Sequence, residues 1–226
     1  MQRYNSFNLI HKGLRALLYH TGLQLQQTDF TVENEAENAI NRVKEVIMLF
    51  EGHAYKEDHF ILPAIAVYEP SVVATFESEH EEDIQLGEKL NARVEKLENS
   101  QSLLEKIVAG RELTESFVSF MVFNLNHMAK EEDILNKILW RYYSDDEIKK
   151  ITTDISKSVE PWIQDFYLTW MIRGINDSEA RTWIKSVERN MPELVFQSLL
   201  QKAEQELSAG RFRKLTASLS EALQLV

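Results

Sequence analysis

The sequence predicts an all-α protein: an up-down-up-down four-helix bundle over residues 1–143, then an extension of short helices over residues 144–226. Gly (7) and Pro (4) are scarce in 226 residues, whereas sheet-rich folds spend both in turns and tight loops. Apolar residues recur at helical spacing along four long stretches, and the links between those stretches are short.

The first helix is expected from about Ser6 to Gln27, with Asn5 or Ser6 as its cap. The second begins near Thr31–Asn34 and runs to about Leu62, where Pro63 and the Glu69-Pro70 turn stop it. The third, capped by Ser71 after Pro70, extends to about Glu98. The fourth covers about Glu112 to Tyr142, behind a shorter segment Leu103–Val108 that Gly110 interrupts. After Ser144 the helices shorten, and four or five are expected. Ser144-Asp-Asp-Glu147 reads as a capping box, Pro161 and Pro192 stand where helices start, and Gly174 and Gly210 stand where they stop. Trp162, Phe166, Trp170, Trp183, Leu194 and Leu199 form stripes that need a partner surface, and core packing explains the tryptophans better than a ligand cage. No repeat period supports a solenoid.

The boundary near Ser144 rests on charge and on histidine. Residues 1–143 carry 14 basic and 23 acidic side chains, the remainder 11 and 13, and all six histidines lie between His11 and His127. Imidazole chemistry therefore belongs to the bundle.

Composition excludes several classes of function. Hydrophobic residues at 44% and charged residues at 27% are ordinary for a chain that folds in water. A net charge of -11 without a basic patch argues against nucleic acid as a partner. No apolar run approaches the roughly 20 residues that span a bilayer, and Met-Gln-Arg-Tyr-Asn-Ser lacks the apolar part of a secretion signal, so no membrane association and a cytoplasmic location are expected. The absence of cysteine removes disulfides, thiolate metal sites and a Cys nucleophile, leaving His and carboxylate as the metal donors.

Those donors follow a pattern. His53-Ala-Tyr-Lys-Glu57 and His127-Met-Ala-Lys-Glu131 are both H-x-x-x-E, a spacing that sets imidazole and carboxylate one turn apart on one helix face. With this many glutamates the spacing alone is weak. Position is the stronger signal, because the pairs interrupt two apolar faces: Val46, Leu49, Phe50, Phe60 and Ile61 around the first, Phe120, Phe123, Ile134, Leu135 and Ile138 around the second. Buried groups of this kind are costly without partners, and metal coordination is one way to satisfy them. His11 joins the stripe Phe7, Leu14, Leu18, and His80 the stripe Val73, Phe76, Ile84, so each helix points one histidine inward. His20 and His59 fall off these stripes. A lone inward histidine is ordinarily a hydrogen-bonded core residue; four of them with two glutamates point to a metal.

The set His11, His53, Glu57, His80, His127 and Glu131 resembles the hemerythrin-like family of HHE domains, with His127-Met-Ala-Lys-Glu131-Glu132 similar to its final motif, over about residues 6–142. The segment Leu168-Thr-Trp-Met-Ile-Arg-Gly174 is similar to C-terminal extensions of some bacterial members. The resemblance implies two non-heme iron ions, bridged by Glu57 and Glu131 and capped by the four histidines, with positions left open for oxygen or a related small ligand. Phe76, Phe50 and Phe123 are then expected beside the ligand pocket. Oxygen carriers of the family place a further His one turn before the third-helix ligand, where this chain has Phe76, a departure that argues against simple carriage.

Other metal patterns fit less well. Ferritin-like proteins use two Glu-x-x-His motifs, and only Glu77-Ser-Glu-His80 matches, while a zinc protease would need H-E-x-x-H. The run Glu77, Glu79, Glu81, Glu82, Asp83 reads as a solvated helix face rather than a cation site. The leading expectation is a di-iron protein that binds or senses oxygen, nitric oxide or peroxide, with the C-terminal helices capping the bundle or meeting a protein partner. A di-iron redox enzyme that reduces peroxide or oxygen, or donates iron for repair, is the second. A metal-free helical interaction protein is the third.

Overall fold

The computed structural model describes residues 3–220, and among them every regular element is helical. The long helices are α1 (Asn8–Gln27), α2 (Glu33–Lys56), α4 (Pro70–Glu98) and α5 (Leu103–Asp133), which form the up-down-up-down bundle. A π-helical turn (Glu57–Ile61) and the short α3 (Leu62–Ala66) follow α2, and α6 (Leu135–Tyr142) follows α5. The C-terminal helices are α7 (Asp145–Lys157), α8 (Pro161–Gly174), α9 (Asp177–Asn190), α10 (Glu193–Glu206) and α11 (Ala209–Ser220).

Local chemistry accounts for most helix starts. Asn5 Oδ1 accepts the backbone N–H groups of Phe7 and Asn8 at 2.9 and 3.0 Å, the first orphan donors of α1. Ser102 with Glu105, Ser144 with Glu147 and Asn176 with Glu179 form capping boxes at α5, α7 and α9. Pro70 is the first residue of α4, a position where its missing N–H costs nothing, so Ser71 lies inside the helix rather than at its cap.

Other boundaries differ from expectation. Gly110 does not interrupt α5: a Cβ there would overlap the Phe30 ring, so the glycine serves close packing. Pro63 does not stop the second stretch either. The chain widens into the π turn, whose closing bond runs from Leu62 N–H to Glu57 O, and Pro63 falls in the first turn of α3, where no N–H is required. At Ile134 the expected fourth helix breaks into α5 and α6, leaving Ile134 exposed. Gly210 lies at the start of α11 rather than at a stop.

The buried line of α4 is Phe76, His80, Asp83, Gly87, Leu90, Val94 and Leu97, a four-three alternation that keeps one seam turned inward. Ile84, expected on that stripe, is 48% exposed because the line steps by three from His80. In α5 the same alternation runs through Leu113, Phe117, Phe120, Asn124, His127 and Glu131.

The chain divides into two compact units. The first holds the chain up to Asn8 together with Leu17–Glu160. It includes α7, because Ile148, Ile151 and Ile155 pack with Phe7, Ile61, Phe76 and Leu139. Arg3 adds a bond to Asp145 Oδ1 at 2.6 Å. The second unit holds Leu9–Ala16 and the chain from Pro161. Its core is built from Ile172, Ile184, Phe196, Leu199 and Leu215, with Leu9 and Trp183 packed against it. Gly13 and Gly174 allow close backbone approach there, since a Cβ on Gly174 would overlap Lys12 O. Trp170 is buried as expected, whereas Trp162 is exposed and Leu194 is 83% exposed. No helix among the described residues is long and apolar enough to cross a membrane.

Candidate metal centre

Regular helix geometry sets the first pair. His53 closes the last turns of α2 and Glu57 opens the π turn, placing His53 Nε2 3.2 Å from Glu57 Oε1. The matching pair on α5 has His127 Nε2 3.1 Å from Glu131 Oε1. His80, from α4, points its Nε2 at His127 Nε2 across 3.1 Å, with Glu57 Oε2 at 3.5 Å and Glu131 Oε1 at 3.8 Å. Glu131 and His11 are fully buried, and His53, Glu57, His80 and His127 are nearly so.

Two groups of donors result. His11, His53, Glu57 and Glu131 form one, and Glu57, His80, His127 and Glu131 the other, with one donor atom of each residue within 4.8 Å of the rest of its group. The groups share both glutamates. Donors bound at about 2.1 Å stand ~3.0 Å apart along an octahedral edge, which matches the imidazole–carboxylate and imidazole–imidazole spacings here. The residues therefore fit a metal.

The outer faces of two imidazoles are also held. His80 Nδ1–H donates to Asp58 Oδ1 at 2.6 Å, and His127 Nδ1–H donates to Glu79 Oε2 at 2.8 Å. Lys130 Nζ donates to the other oxygen of Glu79 at 2.5 Å. A carboxylate only accepts, so it assigns the proton to Nδ1 and leaves Nε2 with a lone pair facing inward. Two such lone pairs 3.1 Å apart repel unless a cation, a proton or a metal ion, stands with them.

In the metal-free chain the cation is a proton. Burial disfavours the His80 cation, but the bonds to Asp58, Glu131 and Glu57 outweigh it and push the imidazole up to about 12. For His127 burial is outweighed by Glu131, Glu57 and Glu79, giving about 9. Burial would raise Glu79, yet Lys130 and His127 hold it below the usual carboxylate range. One turn away Asn124 Nδ2 donates to Asp83 Oδ1 at 2.6 Å, and burial raises Asp83.

The expected phenylalanines separate. Phe76 is buried with its ring centroid 5.9 Å from that of His127, and Phe123, half-buried, stacks on His127 at 5.9 Å with planes 10° apart. Phe50 packs edge-on against Phe120 at 5.4 Å, a core contact one turn before His53. His20 and His59 are exposed and join neither group, and His59 Nδ1–H donates to Tyr55 O.

No sequence pattern marks Asp58, Lys130 or Asn124 as site residues, and Glu79 reads only as part of the acidic run. Glu79 and Asp83 correct the reading of the acidic run as a solvated face, since Glu79 bonds His127 and Asp83 is buried. Their signal was position: Glu79 adjoins His80, and Asp83 lies one turn after it.

An all-helical bundle with buried histidine and glutamate donors in two linked groups defines a helical metal-binding protein. The model of the hemerythrin HHE cation-binding domain matches residues 4–139, and the chain belongs to that family. No curated protein and no solved structure matches the chain.

Proposed function

We propose that His11, His53, Glu57, His80, His127 and Glu131 hold two non-heme iron ions, and that the protein binds or senses oxygen, nitric oxide or peroxide there. The observation that carries this reading is the inward-facing Nε2 pair of His80 and His127, joined to a second donor group through Glu57 and Glu131. The shared carboxylates support a pair of ions rather than one. Bound there, the iron pair supplies open coordination positions and one-electron redox chemistry for a small ligand.

The chain's own residues prepare the pocket. Asp58 and Glu79 fix the imidazole tautomers, and Lys130 neutralises Glu79 from the solvent side. Phe76 and Phe123 place apolar rings beside His127, which limits water and favours a small, weakly polar ligand. A cytoplasmic setting is part of the reading, supported by the ordinary globular composition.

The test is optical titration of reduced, iron-loaded protein with dioxygen, nitric oxide and peroxide. Saturable spectral changes with at least one of them are expected. A spectrum indifferent to all three overturns the ligand-binding reading.

A further inference from the structure

Two phenol rings away from these donor groups lie face to face. Tyr68, in the turn after α3, and Tyr142, the last residue of α6, stack with centroids 4.2 Å apart and planes 1° apart. Rings this close hold their carbons near van der Waals distance, about 3.5–4 Å. Both belong to the first compact unit, and at 45% and 37% exposure an oxidant in solution reaches them.

The surroundings hold the pair in place. Tyr68 N–H donates to Ile65 O at 3.0 Å, and Tyr143, whose hydroxyl donates to Ala64 O, stands edge-on to the Tyr68 ring at 5.7 Å. The Tyr142 hydroxyl donates to Glu69 Oε1 at 3.0 Å. A phenol must lose its proton as it loses an electron, and Glu69 is an acceptor already bonded to it.

We propose that Tyr68 and Tyr142 form an oxidative modification site, coupling to an intramolecular dityrosine at the expense of a peroxide. Each phenol gives up one electron and its hydroxyl proton, that of Tyr142 passing first to Glu69. The two phenoxyl radicals join through the carbons ortho to their oxygens. The hydrogens on those carbons move to the oxygens as the rings regain aromaticity. The net loss is two hydrogen atoms, which reduce one peroxide to two waters. The new bond ties the turn after α3 to the end of α6 and does not depend on which metal the protein holds.

The experiment treats the dilute full chain with hydrogen peroxide and a haem peroxidase as the one-electron oxidant, under conditions that couple free tyrosine. Intact mass, dityrosine fluorescence and peptide mapping are the readouts. The expected product is a monomer lighter by two hydrogen atoms, whose digest contains one peptide pair joined through Tyr68 and Tyr142. Tyr68→Phe and Tyr142→Phe each abolish that pair while circular dichroism stays unchanged, and Tyr19→Phe leaves it in place. A monomer left unlinked at these positions overturns the proposal, whether Tyr19 and Tyr55 couple between chains or no tyrosine reacts. An internal crosslink that survives Tyr68→Phe overturns it equally.

Discussion

His80 and His127, on neighbouring helices, aim their Nε2 atoms at each other across 3.1 Å while Asp58 and Glu79 occupy their Nδ1 atoms. The arrangement requires a cation, and proton and metal compete for one place.

That competition sets a pH dependence. Without metal, burial is outweighed by the surrounding carboxylates and both imidazoles are held above the ordinary histidine value of about 6.5, His80 pushed up to about 12 and His127 to about 9, while the 3.1 Å between their Nε2 atoms leaves room for one shared proton at pH 7. The shared proton stabilises the metal-free fold fully below about pH 6.5, and that contribution is lost as pH rises through the raised value of the pair. Metal takes neutral imidazole, so binding at pH 7 releases about one proton from this pair and affinity rises with pH. Calorimetry in buffers of different ionisation enthalpy measures the release, and a value of zero contradicts the assignment.

The ligand residues and the other histidines should behave differently. His53→Ala, Glu57→Ala, His127→Ala and Glu131→Ala are expected to lose bound iron, whereas His20→Ala and His59→Ala keep it, because neither His20 nor His59 joins a donor group. Iron content after purification and dialysis measures the contrast. Equal losses in both sets would remove the site.

Asp58 and Glu79 act through the imidazoles they hold. Asp58→Ala and Glu79→Ala should each weaken iron binding about 10–100-fold, the usual cost of losing such a partner. Asp58→Asn keeps an oxygen that accepts from Nδ1–H and should lose less. Chelator competition gives the affinities; wild-type values for both alanine variants would show that neither carboxylate positions its histidine.

Phe76→His puts an imidazole one turn before His80, on the buried line of α4. The smaller ring leaves apolar volume unfilled at a cost of about 1–3 kcal/mol, readable as a lowered melting temperature. The added donor should slow air oxidation of the reduced, iron-loaded protein in stopped-flow mixing. An unchanged rate would separate Phe76 from the reactivity of the centre.

How far the sequence could be read depended on regularity. His53 with Glu57, and His127 with Glu131, were legible because one helical turn fixes each pair. Ile84 and Ile134 lie off the buried lines because the four-three seam and the break after Asp133 depart from an unbroken helical stripe. Asp58 was invisible because it sits in a π turn that no local residue pattern announces, and that turn also carries the chain past Pro63. The Ser144 cap is legible in the sequence, whereas the packing of α7 with Phe7 and Leu139 is tertiary and has no local pattern.

Two iron ions sharing Glu57 and Glu131 would set a definite metal stoichiometry. Metal analysis of iron-reconstituted protein, with an optical spectrum recorded in air, tests it most directly. Two iron atoms per chain are expected, with near-ultraviolet charge-transfer absorption that disappears on reduction. Fully loaded protein with one metal per chain, or protein that takes zinc and refuses iron, would contradict it.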